Sequence, residues 1–259
     1  GLMSLGILTT LMSHEPQIDL KSQDEQQMAR KATLLARGWS PTLAGLGAWT
    51  YEAIWCPFAD FFRRYGSSAL LILGLIACYR ISDVVMGVMS NSFYVDLQFS
   101  KTEVATITKV YGVIMTLVGA ALGGVLVMRF GTLRILFLGA VLTASTNLLF
   151  ALLNEVGHNL ELLTLIISLD NLSAGIATAA FVTYLSSLTN VAFSATQYAL
   201  FSSIMLLLPK LLAGFSGRVV EQIGYSHFFI GTSLLGIPVM ILIIMVAKRG
   251  STLSPQTHK

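Results

Sequence analysis

Arg80 and Asp83 stand three residues apart near the middle of Ser67–Phe99, a stretch otherwise dominated by Leu, Ile, Val, Ala and Met. A run this long and apolar suits a bilayer crossing. At that depth ionisable groups are costly, and they face a protein interior or a watery cavity. On a helix, Arg80, Asp83, Gly87, Ser90, Asn91 and Tyr94 fall on one face, at spacings of three and four. The pair either keeps the helix neutral or serves a proton or a polar solute. The continuation of the stripe through Ser90, Asn91 and Tyr94 favours the second reading.

Other spans carry their own polar groups. Lys109, Gly112, Thr116, Gly119 and Gly123 form a second stripe. Its glycines suit close helix packing, whereas Lys109 either pairs with an acid or meets an anionic substrate. Asp170 and Asn171 are followed by Ser173, Gly175, Thr178 and Tyr184. This set suits sugar recognition by hydrogen bonds, or hydrogen bonding between helices. Pro209-Lys210 predicts a bend, and Arg218 with Glu221 an ion pair near the outer interface. His14, His158, His227 and His258 lie at loops or ends and form no metal-ligand cluster. No nucleotide loop, HExxH, paired-cysteine motif or serine nucleophile elbow occurs, so no enzyme activity, cofactor or nucleic-acid partner is expected.

These residues need elements to hold them. Of the residues 54% are hydrophobic and 11% charged, against roughly a quarter charged in soluble domains, so the chain is predicted to be an all-α integral membrane protein. Six spans are expected near Ser67–Phe99, Thr102–Met128, Leu133–Leu153, Leu160–Leu188, Thr196–Gln222 and Phe228–Ala247. Gly1–Met12 is apolar but too short to cross, which predicts the tail of a preceding helix and a longer protein. Residues 13–66 read as a connector. Within it, Ala44–Arg64 suits either an interfacial amphipathic helix or an aromatic belt. Among the connections, the connector, the Arg129–Arg134 turn and the tail 248–259 hold the Lys and Arg apart from Lys101, which places them in the cytoplasm. Spans one and two, and again four and five, carry ionisable residues, while spans three and six have none inside. That pattern suits two three-helix inverted repeats, with the plain helices facing lipid.

Gly123-Gly124-Val-Leu-Val-Met-Arg129-Phe-Gly131-Thr-Leu-Arg134 resembles the cytoplasmic G-x-L-x-D-R-x-G-R-R turn of the major facilitator superfamily, with Met128 in place of the acid and Thr132 in place of a basic residue. Pro57–Phe62, Tyr79-Arg80-Ile-Ser-Asp83, Thr108-Lys109-Val-Tyr-Gly112, Asp170-Asn171-Leu and Phe193-Ser-Ala-Thr-Gln197-Tyr198 resemble the AmpG-type muropeptide permeases of that superfamily. The resemblance runs over nearly the whole chain and implies the six-helix C-terminal domain of such a permease. It further implies import of anhydro-muropeptides with protons, an N-terminal six-helix half as partner, and a bacterial inner-membrane location. Carried over by position, it offers Arg80, Asp83, Lys109, Asp170 and Asn171, with Gln197 and Tyr198 at the inner end; Asn91 joins them from the stripe. Acetyl-CoA transporters share part of the pattern, which keeps another polar or anionic solute open as the cargo.

Overall fold

The computed structural model describes residues 20–190 and 193–250, and all regular structure among them is helical. The stub expected at residues 1–12 and the end of the tail, 251–259, lie outside the described residues. Helices α1 (Leu20–Ala36), α2 (Pro41–Thr50) and α3 (Cys56–Tyr65) occupy the connector. They are followed by α4 (Ala69–Cys78), α5 (Ile81–Asp96), α6 (Lys101–Thr106), α7 (Val113–Phe130), α8 (Thr132–Val156) and α9 (Leu160–Leu188). Helices α10 (Ser194–Ala213), α11 (Ser216–Leu234) and α12 (Gly236–Gly250) complete the chain.

The chain divides into two compact units, Gly1–Asp60 with Asn190–Thr196, and Phe61–Thr189 with Gln197–Lys259. In the first, Ser40 caps α2 by accepting from the Leu43 amide, and the Arg30 guanidinium sits 3.5 Å from the centre of the Tyr51 ring. The second holds the remaining helices and the large aromatic core, in which Phe93 meets Phe229 edge-on at 4.8 Å and Tyr79 stacks on Phe181 at 4.4 Å.

Six helical stretches are long and apolar enough to cross a membrane: Pro41–Asp96, Lys101–Phe130, Thr132–Val156, Leu160–Leu188, Ser194–Ala213 and Ser216–Arg249. Their ends follow local chemistry. Ser100 and Glu103 form a reciprocal capping box at the start of α6, satisfying two amides a helix start leaves open. Asn159 caps α9 by accepting from the Leu162 amide at 2.9 Å. Gly131 joins α7 to α8 with φ 86°, a conformation glycine adopts without penalty, so the facilitator-like turn is a tight one here. The fifth and sixth spans depart from expectation. Helix α10 stops at Ala213, beyond Pro209 and before Gly214, instead of running on to Gln222. The connection expected at Ile223–His227 is a kink inside α11, where Gly224 takes φ 76°.

Span three also differs from its expected place on the lipid side. Helix α8 packs against α5, α7, α9, α11 and α12, and it buries Thr146, Asn147, Phe150 and Leu153. Its Gly139 sits so close to Ala177 and the Tyr79 hydroxyl that a Cβ there would come within 2.9 Å of the first and 2.8 Å of the second. Lack of ionisable residues did not mark this helix as peripheral, because its inward polar groups are neutral. The Asn147 amide donates to Ser82 Oγ at 2.9 Å and to Thr232 Oγ1 at 3.3 Å, and Ser82 donates to the Thr232 carbonyl at 2.7 Å.

Candidate functional site

The first span is interrupted at Arg80. Helix α4 ends at Cys78, α5 starts at Ile81, and Arg80 between them has φ −94° and ψ 7°, the bridge region where active-site residues are often found. The Tyr79 hydroxyl steadies this break from below, lying 3.3 Å from the Leu136 carbonyl and 3.5 Å from that of Ala177. Arg80 donates to Asp83 Oδ2 at 2.5 Å and to Thr178 Oγ1 at 3.2 Å. Both side chains of the ion pair are about a quarter exposed, 25% and 26%, so the pair is accessible without being fully solvated. It borders a cavity of about 20 Å³, closed by Ala140, Thr143, Ala174, Gly236 and Val239. That is room for about one water molecule. Span six thus reaches this cavity through Gly236 and Val239, against the expectation that it faces lipid alone.

The polar stripe does not stay together. Tyr94 is buried, whereas Gly87 and Asn91 are exposed. Asn91 opens into a larger groove of about 380 Å³, shared with Tyr94, Phe99, Lys101, Thr108 and Lys109. Lys109 belongs to a π-helical turn, Ile107–Gly112, and such turns recur at functional sites. Its ammonium is exposed and makes no ion pair among the described residues. Among the described residues no acid pairs with it, and its side chain lines the groove. Asn91 and Lys109, from two different spans, are the two sequence candidates brought to one opening.

Asp170 accepts from Thr146 Oγ1 at 3.0 Å, a partner from span three that charge alone did not reveal. Asn171 is consumed by packing. Its amide donates to the Ile167 carbonyl at 2.8 Å, and its oxygen accepts from Thr116 Oγ1 at 3.0 Å. It clamps α9 to α7 beside Gly112, where a Cβ would come within 3.3 Å of Asn171 Nδ2. Gln197 is fully buried and accepts from Arg64 at 3.1 Å, while the same guanidinium nitrogen holds the Leu188 carbonyl at 3.1 Å. This bracket ties the ends of α3, α9 and α10, and it was not foreseen, since Arg64 was read only as one of the basic residues of the connector. Tyr198 packs against the core. Arg218 and Glu221 are both exposed and form no ion pair with each other. Of the candidates, Arg80, Asp83, Asn91, Lys109 and Asp170 keep groups available for chemistry. Asn171 and Gln197 take part in hydrogen bonds that join helices.

No protein-family model matches the chain. It is 33% identical over 202 residues to a protein of Rickettsia felis that bears the name transporter AmpG 4, covering 78% of this chain and 48% of that protein. The corresponding protein of Rickettsia conorii is 34% identical over 188 residues, 73% of this chain and 45% of its own length. The anhydromuropeptide permease of Escherichia coli K12 is 32% identical over 195 residues, 75% of this chain and 39% of that protein. The chain thus spans about half the length, or less, of the curated relatives it matches. Over that stretch the chain is similar to proteins named as AmpG transporters and as an anhydromuropeptide permease, and its own described residues form an all-α structure with six helices long and apolar enough to cross a membrane.

Proposed function

We propose that this chain is a six-span portion of a secondary transporter that imports N-acetylglucosaminyl-anhydro-N-acetylmuramyl peptides from periplasm to cytoplasm in cell-wall recycling. On this reading it forms the C-terminal half of a major facilitator protein, two inverted three-helix repeats in the bacterial inner membrane. It rocks against an N-terminal six-helix half by alternating access, with residues 13–66 and 248–259 in the cytoplasm, and it performs no covalent catalysis. The observation that carries the proposal is the Arg80–Asp83 pair at the break of an apolar span, in a chain similar to a protein named anhydromuropeptide permease.

The chemistry follows from charge. Asp83 exchanges its partner as the domain rocks, taking a proton on one side and releasing it on the other. A ligand shifts such an equilibrium only through its different affinity for the two states. Lys109 and Asn91 supply a cation and an amide to the polar groups of the cargo. The test is uptake of labelled anhydro-muropeptide into vesicles holding the complete protein, with and without an imposed pH gradient. Accumulation that follows the gradient supports the reading. Transport of acetyl-CoA in place of muropeptide would reassign the cargo, and no uptake of either would end the proposal.

A further inference from the structure

Two lysines share one wall of the groove that opens beside Asn91. Lys101 begins α6 and Lys109 lies in the π-helical turn that follows it, and both line the groove of about 380 Å³. Val104, Ala105 and Thr108 lie between them on the same wall, at the spacings that make one helical face. The two lysines are eight residues apart, which sets them roughly 10–12 Å apart along the helix axis. Asn91, Tyr94 and Val95 line the groove from α5. Among the described residues that line it none is acidic. The carboxylates nearest in sequence are engaged elsewhere: Glu103 accepts from the Ser100 amide at 2.8 Å, and Asp96 accepts from the Tyr225 hydroxyl at 2.7 Å. Both lysines are exposed, and neither makes an ion pair among the described residues. Lys101 was not among the site candidates offered by the sequence; the groove is what joins it to Lys109.

We infer that this groove holds the peptide of the cargo by its carboxylates, with Lys101 and Lys109 each meeting one. The inference rests on the reading of the chain as a muropeptide transporter, and it names the part of the cargo that the groove takes. In an N-acetylglucosaminyl-anhydro-N-acetylmuramyl peptide both sugars are neutral, because the lactyl carboxyl is consumed in the amide bond to the peptide. The negative charge therefore belongs to the peptide, at its C-terminus and at any acidic side chain. An extended peptide advances about 3.3 Å per residue, so carboxylates about three to four residues apart match the separation of the two lysines. Each ammonium is a compact charge on a flexible stem with three donors, which lets it follow a carboxylate in more than one peptide. Asn91 offers an amide that both donates and accepts, as a peptide backbone requires. Val95, Val104 and Ala105 add apolar surface for the peptide's side chains.

The experiment is calorimetric titration of the complete protein in detergent with two ligands: an anhydro-muropeptide with free carboxylates, and the same molecule with every carboxyl amidated. Low salt is used, because exposed charges are screened at high ionic strength. Three forms are compared: the unaltered protein, the double variant Lys101→Gln/Lys109→Gln, and the control Arg218→Gln, whose side chain is exposed on α11. The unaltered protein and the control should bind the free acid roughly ten- to a hundredfold more tightly than the amide, the range expected for bonds to charged groups. In the lysine variant that ratio should fall to about one. Where the double variant fails to fold, Lys101→Gln alone serves: its ratio should drop several-fold, and an unchanged ratio overturns the inference. An unaltered protein that binds both ligands alike, or neither, overturns it as well. So does a ratio that survives in the double variant, or one lost equally in the control, which would reduce the effect to general charge. Tighter binding of acetyl-CoA than of either muropeptide would assign the groove to phosphates and overturn the peptide assignment. Carboxylate-dependent binding without uptake into vesicles would sink the transport reading and leave the assignment of the groove in place.

Discussion

Asp83 and Asp170 are carboxylates inside apolar spans, and their partners differ. Asp83 faces a guanidinium and Asp170 a single hydroxyl. Asp83→Asn removes the titratable group yet keeps shape and hydrogen-bonding capacity. Gradient-driven accumulation should fall to background while exchange without a gradient persists; pH-driven accumulation in that variant would move the coupling role to Asp170. Lys109→Met should weaken uptake roughly ten- to a hundredfold if the ammonium hydrogen-bonds the cargo, the range expected for a bond to a charged group. Membrane protein levels, read by immunoblot, should hardly change, since Lys109 is exposed and makes no ion pair among the described residues. Full uptake would strip Lys109 of its role. The Arg80–Asp83 pair was legible in the sequence because the two stand three residues apart in one apolar stretch. Thr146 was not, because its meeting with Asp170 depends on how α8 lies against α9, and a threonine in an apolar helix carries no mark of that.

At the level of the helices, small residues set how near the spans approach. A Cβ on Gly119 would run into the Leu172 backbone carbonyl, and one on Gly175 into that of Thr116, whereas Gly124 has nothing within 4 Å. Gly119→Ala and Gly175→Ala should each destabilise the α7–α9 pair by about 1–3 kcal/mol, the usual effect of overpacking. Gly124→Ala should be neutral. Thermal unfolding in detergent distinguishes them, and equal midpoints for all three would refute the close approach. The Gly119 and Gly123 spacing announced this packing before any coordinates. The central position of α8 was hidden for a physical reason. Its inward face relies on Asn147, Thr146 and small side chains at Gly139, Ala140 and Ala144, and neutral hydrogen bonding leaves no charge pattern to follow. Asn147→Ala removes the donor shared by Ser82 and Thr232 and should destabilise by about 1–3 kcal/mol, as expected for stranding buried polar partners. A midpoint unchanged from the parent would show that the network carries no stability.

For the molecule as a whole, the number and order of spans followed from apolar length, whereas the break points did not. Arg80, Gly214 and Gly224 interrupt helices that hydropathy alone draws as continuous or ends elsewhere. The least covered spans are the second and fifth. Leu117 and Leu122 on α7, and Leu207 and Leu211 on α10, are among their exposed apolar residues, and such apolar surface suits contact with lipid or protein. The proposed orientation turns this into a labelling test. With Cys56 and Cys78 replaced by serine, Thr102→Cys marks the connection after the first span, and Arg134→Cys marks the turn after the second. Both positions are exposed and stand at opposite ends of one helical hairpin. In intact cells a membrane-impermeant maleimide should modify Thr102→Cys at once and Arg134→Cys only after the membrane is opened. The expectation rests on basic residues favouring the cytoplasmic side: Arg129 and Arg134 flank the turn expected to be inner, while Lys101 is accompanied in sequence by Asp96 and Glu103 at the connection expected to be outer. The reverse labelling order would invert the domain, and with it the direction of import. Equal labelling of the two would mean that α7 does not cross the bilayer at all.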